Sequence, residues 1–196
     1  GLPFYLAGGV GSPEGLEYAL AQGAAGIQVG TLFAYADESG FTPEIKQRVL
    51  EAATNRTLRV WTDVRASPTG YPFKVVHVEG EPTMDRTRER ICDLGYLRIA
   101  FRTTDGKLQY RCPAEPIEQY VSKGGAIADT ENRQCLCNAL FACIGQPQPR
   151  DHGRLEPPIV TSGDDALNLA RFTRGRSSYE ARDVLNWLLR EETAVA

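Results

Sequence analysis

The stretch Leu6-Ala7-Gly8-Gly9-Val10-Gly11-Ser12-Pro13-Glu14 stops a short apolar run at a glycine pair and then opens a helix. Residues 4–10 are short enough for a buried strand. Ser12 can accept from orphan backbone N–H groups, and Pro13 at the first helical position loses nothing by lacking one. Leu16, Ala19 and Leu20 share one helical face, and Gly23 is a natural stop. Ala24 to Val29 is a second buried-strand candidate, and it too ends at glycine, in Gly30-Thr31. Thr42-Pro43-Glu44 opens another helix, with Ile45, Val49 and Leu50 at helical spacing. Residues 4–53 thus read strand, helix, strand, loop, helix, the pattern of parallel βα units.

A strand ending in Gly-Gly lets backbone N–H groups approach a ligand closely, because no Cβ intervenes. A helix beginning just beyond adds free N–H groups and the positive end of its dipole, which favour an anion. Two such units side by side make a phosphate cradle of the kind found at the C-terminal face of (β/α)₈ barrels. The plainer reading, that the glycines only make tight turns, fits each stop taken alone.

Bulk properties narrow the classes. The chain has 196 residues, with 22 basic and 25 acidic side chains and a net charge of −3. That balance gives no reason to expect nucleic acid or an anionic membrane as the main partner. No apolar run approaches the ~20 residues of a membrane span, and no signal peptide is visible. The chain opens on Gly1, and its sole methionine is Met84, so residue 1 is expected not to be the start of the gene product. The five cysteines, an odd number without a secretory signal, suit reduced thiols in a cytoplasmic protein.

Beyond residue 55 the character changes. Residues 59–62 and 73–78 read as strands, and 84–96 as a charged helix. Asp105-Gly106 suggests a hairpin turn within an ambiguous stretch, 97–112. Residues 145–163, rich in proline and glycine, are expected to wrap a surface. Ser177 and Glu180 have capping-box spacing before a helix with Ala181, Val184, Leu185 and Leu188 on its apolar face.

Ala7-Gly8-Gly9, then Gly23-Ala24-Ala25-Gly26-Ile27-Gln28-Val29-Gly30-Thr31-Leu32-Phe33, then Glu38-Ser39 together resemble the end of the barrel in the nitronate monooxygenase family, also called 2-nitropropane dioxygenases. The close resemblance covers residues 3–55. Residues 60–165 resemble the C-terminal extension of a subgroup, through Ala66-Ser67-Pro68-Thr69-Gly70, Arg111-Cys112-Pro113-Ala114-Glu115-Pro116 and Cys135-Leu136-Cys137-Asn138. The fold implied is α/β: residues 1–57 would be the last two βα units of an FMN-binding (β/α)₈ TIM barrel, and 58–196 an irregular α+β extension. The resemblance implies that backbone N–H groups of Gly8, Gly9, Gly30 and Thr31, with the Thr31 hydroxyl, hold the FMN phosphate, and that Gln28 lies near the cofactor. It implies oxidation of an alkyl nitronate by O2 to a carbonyl compound and nitrite. The family's catalytic histidine lies in the first half of the barrel, which has no counterpart here. His77 and His152 fall beyond the barrel part, so no catalytic residue is assigned. The missing units would come from the same or another chain, and this chain alone is expected to be inactive. Two other readings are an FMN-dependent enoyl reductase acting on an enoyl thioester, and a non-catalytic, metal-binding interaction module riding on the barrel.

Cys92, Cys112, Cys135 and Cys137 could gather on zinc or an iron–sulfur cluster, although the single residue between Cys135 and Cys137 departs from the usual spacing. The simpler reading is core thiols, which also suits Cys143, beside Phe141 and Ile144. Glu115, Glu118, Asp129 and Glu131 are read as solvated surface. Trp61 and Trp187 are read as packing residues. Arg171, Arg174, Arg176 and Arg182 could attract an anion, but arginine is abundant throughout the chain.

Overall fold

A computed structural model of the protein describes residues 1–78 and 88–190. Strands β1 (Tyr5–Ala7) and β2 (Gly26–Gln28) pair in parallel, with Tyr5 opposite Gly26, Leu6 opposite Ile27 and Ala7 opposite Gln28. Helix α1 (Pro13–Ala21) connects them and packs on β2. Its first turn is built as the sequence predicts: the Ser12 hydroxyl accepts from the Gly15 amide at 3.0 Å. Past Gly30 comes a single turn, α2 (Thr31–Ala34), where a loop is expected. Helix α3 (Pro43–Thr54) follows, its Thr42 hydroxyl accepting from the Ile45 amide. Ile45, Val49 and Leu50 are buried as their spacing requires. The expectation of buried strands fails: Phe4, Tyr5, Ala7 and Gln28 are exposed. A two-stranded parallel sheet has too few neighbours to cover both faces, which parallel sheets ordinarily have covered.

The chain groups into two units, and the grouping differs from the expected cut at residue 57. The first holds 1–60, 76–78 and 162–190; the second holds 61–75 and 88–161. In the first unit, α6 (Leu169–Thr173) packs on α3, and α7 (Ala181–Leu189) packs on α1 and α2. Phe172, Tyr179, Val184 and Leu188 are buried, with the Phe172 and Tyr179 rings edge-on at 4.7 Å. Leu185, expected on the apolar face, is exposed. The capping box lies three residues later than expected. Glu180 is the N-cap and its amide donates to Asp183, while the Glu38 carboxylate accepts from the Ala181 amide at 2.9 Å. The Glu180 amide that a Ser177 cap would bond is taken by Asp183, and the distant Glu38 holds the following amide.

Strands β3 (Arg59–Asp63) and β4 (Phe73–His77) form a second small sheet. In the second unit, β5 (Ile99–Arg102) and β6 (Leu108–Arg111) make the antiparallel hairpin that Asp105-Gly106 predicts. Helix α4 (Ile117–Ser122) and helix α5 (Leu136–Cys143) follow. Residues 88–96 are not helical, and the rest of the helix expected at 84–96 lies outside the described residues. Val75, Leu136, Ala139 and Ile159 form the core of this unit. The stretch 145–163 therefore does more than wrap a surface: Glu156, Ile159 and Val160 are buried in it. Glu115 is buried as well, not solvated, and its carboxylate accepts from Lys123 at 2.9 Å. Among the described residues no helix is long and apolar enough to cross a membrane.

Candidate functional site

The two glycine stops stand at adjacent ends of the parallel strands, since Ala7 and Gln28 are register partners. Gly8 and Gly9 adopt φ of +84° and +75°, the left-handed region that disfavours side chains. A Cβ placed at Gly8, Gly9 or Gly30 meets no atom within 4 Å. The side-chain position of each of the three is therefore empty. Gly8 and Gly9 need glycine for their conformation. Gly30, at φ −110° and ψ −50°, does not, and the structure gives it no neighbour to avoid either. As N-cap of α2 it provides no side-chain hydrogen bond. The loop between Gly9 and α1 is held close to the helix, because a Cβ on Gly15 would lie 2.3 Å from the Val10 carbonyl oxygen.

Thr31 is buried, and its hydroxyl oxygen accepts from the Gly163 amide at 3.0 Å, which leaves its proton free to give. Gln28 is exposed at the end of β2. The five residues singled out for a cofactor, Gly8, Gly9, Gln28, Gly30 and Thr31, thus lie on one pair of strand ends. The sequence gives no sign of the segment that joins them. The Gly11 amide donates to Asp165 Oδ2 at 3.2 Å. Asp165 is buried, and its Oδ1 has no hydrogen-bond partner among the described residues. Burial raises its pKa, only partly offset by the Gly11 amide. Nothing in the local sequence of Asp165 connects it to a turn 154 residues earlier.

The arrangement offers backbone donors, one hydroxyl and open space: it can hold an anion. It carries no histidine. His152 is exposed in a one-turn 3-10 segment, Asp151–Gly153, of the second unit.

The cysteines lie apart, in the second unit. Cys92, Cys112, Cys135 and Cys137 interact electrostatically with one another, so they share a neighbourhood. The Cys135 thiol donates to Cys137, and with the Leu97 and Tyr96 amides it lowers the Cys137 pKa below the usual thiol value. The pKa of Cys135 is raised in turn, chiefly by that bond and by burial. Cys112 is raised by burial, with the Ala114 amide acting against it. Cys92 Sγ accepts from Arg98 at 3.5 Å. Each sulfur thus has a protein partner, and among the described residues no group of three or more His, Cys, Asp or Glu is arranged to hold a metal ion. Cys143 packs as expected: it is buried, its thiol donates to the Ala139 and Ile159 carbonyls, and burial pushes its pKa up to about 11.

The parallel strand pair with its connecting helix makes the first unit a mixed α/β structure. Residues 1–73 match the family model described as nitronate monooxygenase. The N-terminal part of the chain is therefore similar to an oxidoreductase family. No curated protein and no solved structure matches the chain.

Proposed function

We propose that the chain is part of an FMN-dependent oxidoreductase of the nitronate monooxygenase kind, and that the two glycine stops hold the cofactor phosphate. The observation that carries this reading is the open, side-chain-free backbone of Gly8, Gly9 and Gly30 on neighbouring parallel strand ends, within the family match at residues 1–73. Their N–H groups, with the Thr31 amide and hydroxyl, suit phosphate oxygens, and the nine-residue helix α1 adds the positive end of its dipole. Gln28 borders the same strand end and can orient what binds there. When bound, the flavin supplies the redox chemistry, passing substrate electrons to O2. The protein's part is to fix and shield it.

The exposed sheet supports the barrel reading. In this proposal β1 and β2 are the last two strands of a (β/α)₈ barrel, residues 58–196 are its extension, and the remaining units come from the same polypeptide or another. Those units would cover Phe4 and Tyr5, and they would carry the catalytic base. The test is the flavin content of the assembled enzyme with and without a side chain at Gly30. Unchanged FMN occupancy in Gly30→Val overturns the proposal.

A further inference from the structure

The first unit also contains a cavity of about 750 Å³, within the range of small-molecule sites. Arg171, Arg174, Arg176 and Arg190 line it, together with Phe172 and Trp187. It shares no residue with the glycine stops. Two carboxylates, Glu14 and Asp183, also line it, so the lining side chains carry two net positive charges. Arg171 pairs with Glu14 at 2.7 Å and Arg176 with Asp183 at 3.3 Å. Arg190 reaches Glu17 at 3.0 Å and Glu14 at 3.7 Å. The Arg174 guanidinium has no partner among the described residues. Most of these groups are about half exposed, where ion pairs hold weakly. A stronger anion can therefore take over the guanidiniums without disturbing the fold.

The wall between the arginines is aromatic. The Arg171 guanidinium lies 5.9 Å from the Trp187 ring centre and Arg176 lies 5.6 Å from that of Phe172. The two rings are 5.1 Å apart, tilted by 48°. Phe172 is buried and fixes the platform, while Trp187 is half-buried. A single carboxylate is a poor candidate ligand, because Glu14 already supplies one. Displacing it takes a group with several charged oxygens, which arginine forks grip in pairs. The ring beside them gives a planar group a face to stack on.

We infer that this cavity binds a nucleotide carrying two or more phosphates, its phosphate oxygens on Arg171, Arg174 and Arg190 and its base on Trp187. The test is titration of the purified chain with ADP, inorganic pyrophosphate and adenosine, followed by calorimetry and by tryptophan fluorescence. ADP should saturate a single site, more tightly than either pyrophosphate or adenosine. Arg174→Glu should weaken it by about ten-fold or more. Arg174 is exposed at the end of α6, so this variant keeps the fold, and an unshifted thermal transition verifies that. Gly30→Val should leave ADP binding unchanged, which separates this site from the flavin reading. No saturation tighter than about 1 mM overturns the inference. So does wild-type ADP affinity in Arg174→Glu. Pyrophosphate binding as tightly as ADP also overturns it, because the base then has no place in the site.

Discussion

A side chain at Gly30 is a cleaner probe of the cradle than one at Gly9. Gly30 has helical φ and ψ, and its Cβ position is empty. Valine there should cost at most roughly 1 kcal/mol, the scale of a lost N-cap preference. Gly9 sits at φ +75°, where any L side chain costs roughly 1–2 kcal/mol. For a chain of this size each kcal/mol moves the thermal midpoint by roughly 2–4 °C. Gly9→Ala should therefore melt a few degrees lower than Gly30→Val. Cofactor binding should respond differently. Each hydrogen bond from a backbone amide to a phosphate oxygen contributes roughly 1.5–3 kcal/mol, so losing one weakens binding by roughly ten-fold to a hundred-fold or more. In the assembled enzyme, Gly30→Val should melt within roughly 4 °C of the wild type and lose its flavin, read as FMN released per chain on denaturation. If Gly30→Val retains wild-type FMN while Gly9→Ala loses both flavin and stability, the glycines serve the turn and not a ligand, and the cradle argument fails.

Residues 1–196 alone, supplied with FMN and an alkyl nitronate, should release no nitrite; release that a Gly30→Val substitution abolishes would show that two βα units suffice. Gly15→Ala places a Cβ 2.3 Å from the Val10 carbonyl oxygen. Overpacking of roughly 1–3 kcal/mol should outweigh a helix-propensity gain of about 1 kcal/mol, so the thermal midpoint should fall, and a rise would contradict the described turn. Asp165→Asn tests the buried carboxylate through pH. Burial raises the native pKa, so the native state holds its proton more tightly than the unfolded chain; the stability this contributes is full below the ordinary aspartate range and is lost as pH rises through the raised value. The asparagine variant should gain on the wild type near neutral pH, with the gain fading in acid, and denaturant unfolding at several pH values checks this.

The readable parts of the sequence were those whose signals are local. Ser12-Pro13-Glu14 and Thr42-Pro43-Glu44 carry their own capping chemistry, and both helices start there. Asp105-Gly106 carries its own turn, and the hairpin forms around it. Parallel pairing of the first two strands followed from helix spacing. What escaped was set by distant partners. Glu115 has no local mark of burial; Lys123 makes it possible. The Ser177 capping box lost to one three residues later, because Asp183 takes the Glu180 amide that Ser177 would bond, and Glu38 from another part of the chain holds the next amide, that of Ala181. Helix α5 reads as an apolar word around two cysteines, and only its packing on Val75 and Ile159 shows which face is core. The arginines of residues 171–176 looked compositional because the features that make them a site, Trp187 and Arg190, lie a further turn or more along the chain.

The glycine turns are shaped by the C-terminal segment as much as by their own sequence. Asp165 leaves no room for a side chain at Gly11, where a Cβ would lie 2.6 Å from its Oδ2. Gly163 orients the Thr31 hydroxyl so that its proton faces away from the bond it accepts. The Tyr179 hydroxyl donates to the Leu32 carbonyl at 2.6 Å, and the Asp37 amide donates to the Tyr179 carbonyl at 2.8 Å. Glu38, the residue after Asp37, accepts from the Ala181 amide. Three of these four bonds join a side chain, that of Thr31, Tyr179 or Glu38, to a backbone group, so substituting one of those three side chains removes its bond, whereas the Asp37–Tyr179 bond is backbone to backbone. Residues 1–73 carry the family likeness, but the positions of Gly11 and Thr31 are fixed by residues 163–181. A glycine motif supplies permission for a tight turn; the arrival of a second segment decides which of its amides are spent within the protein and which are left to a ligand. Here the Gly11 amide is spent on Asp165, and Gly8, Gly9 and Gly30 remain beside open space.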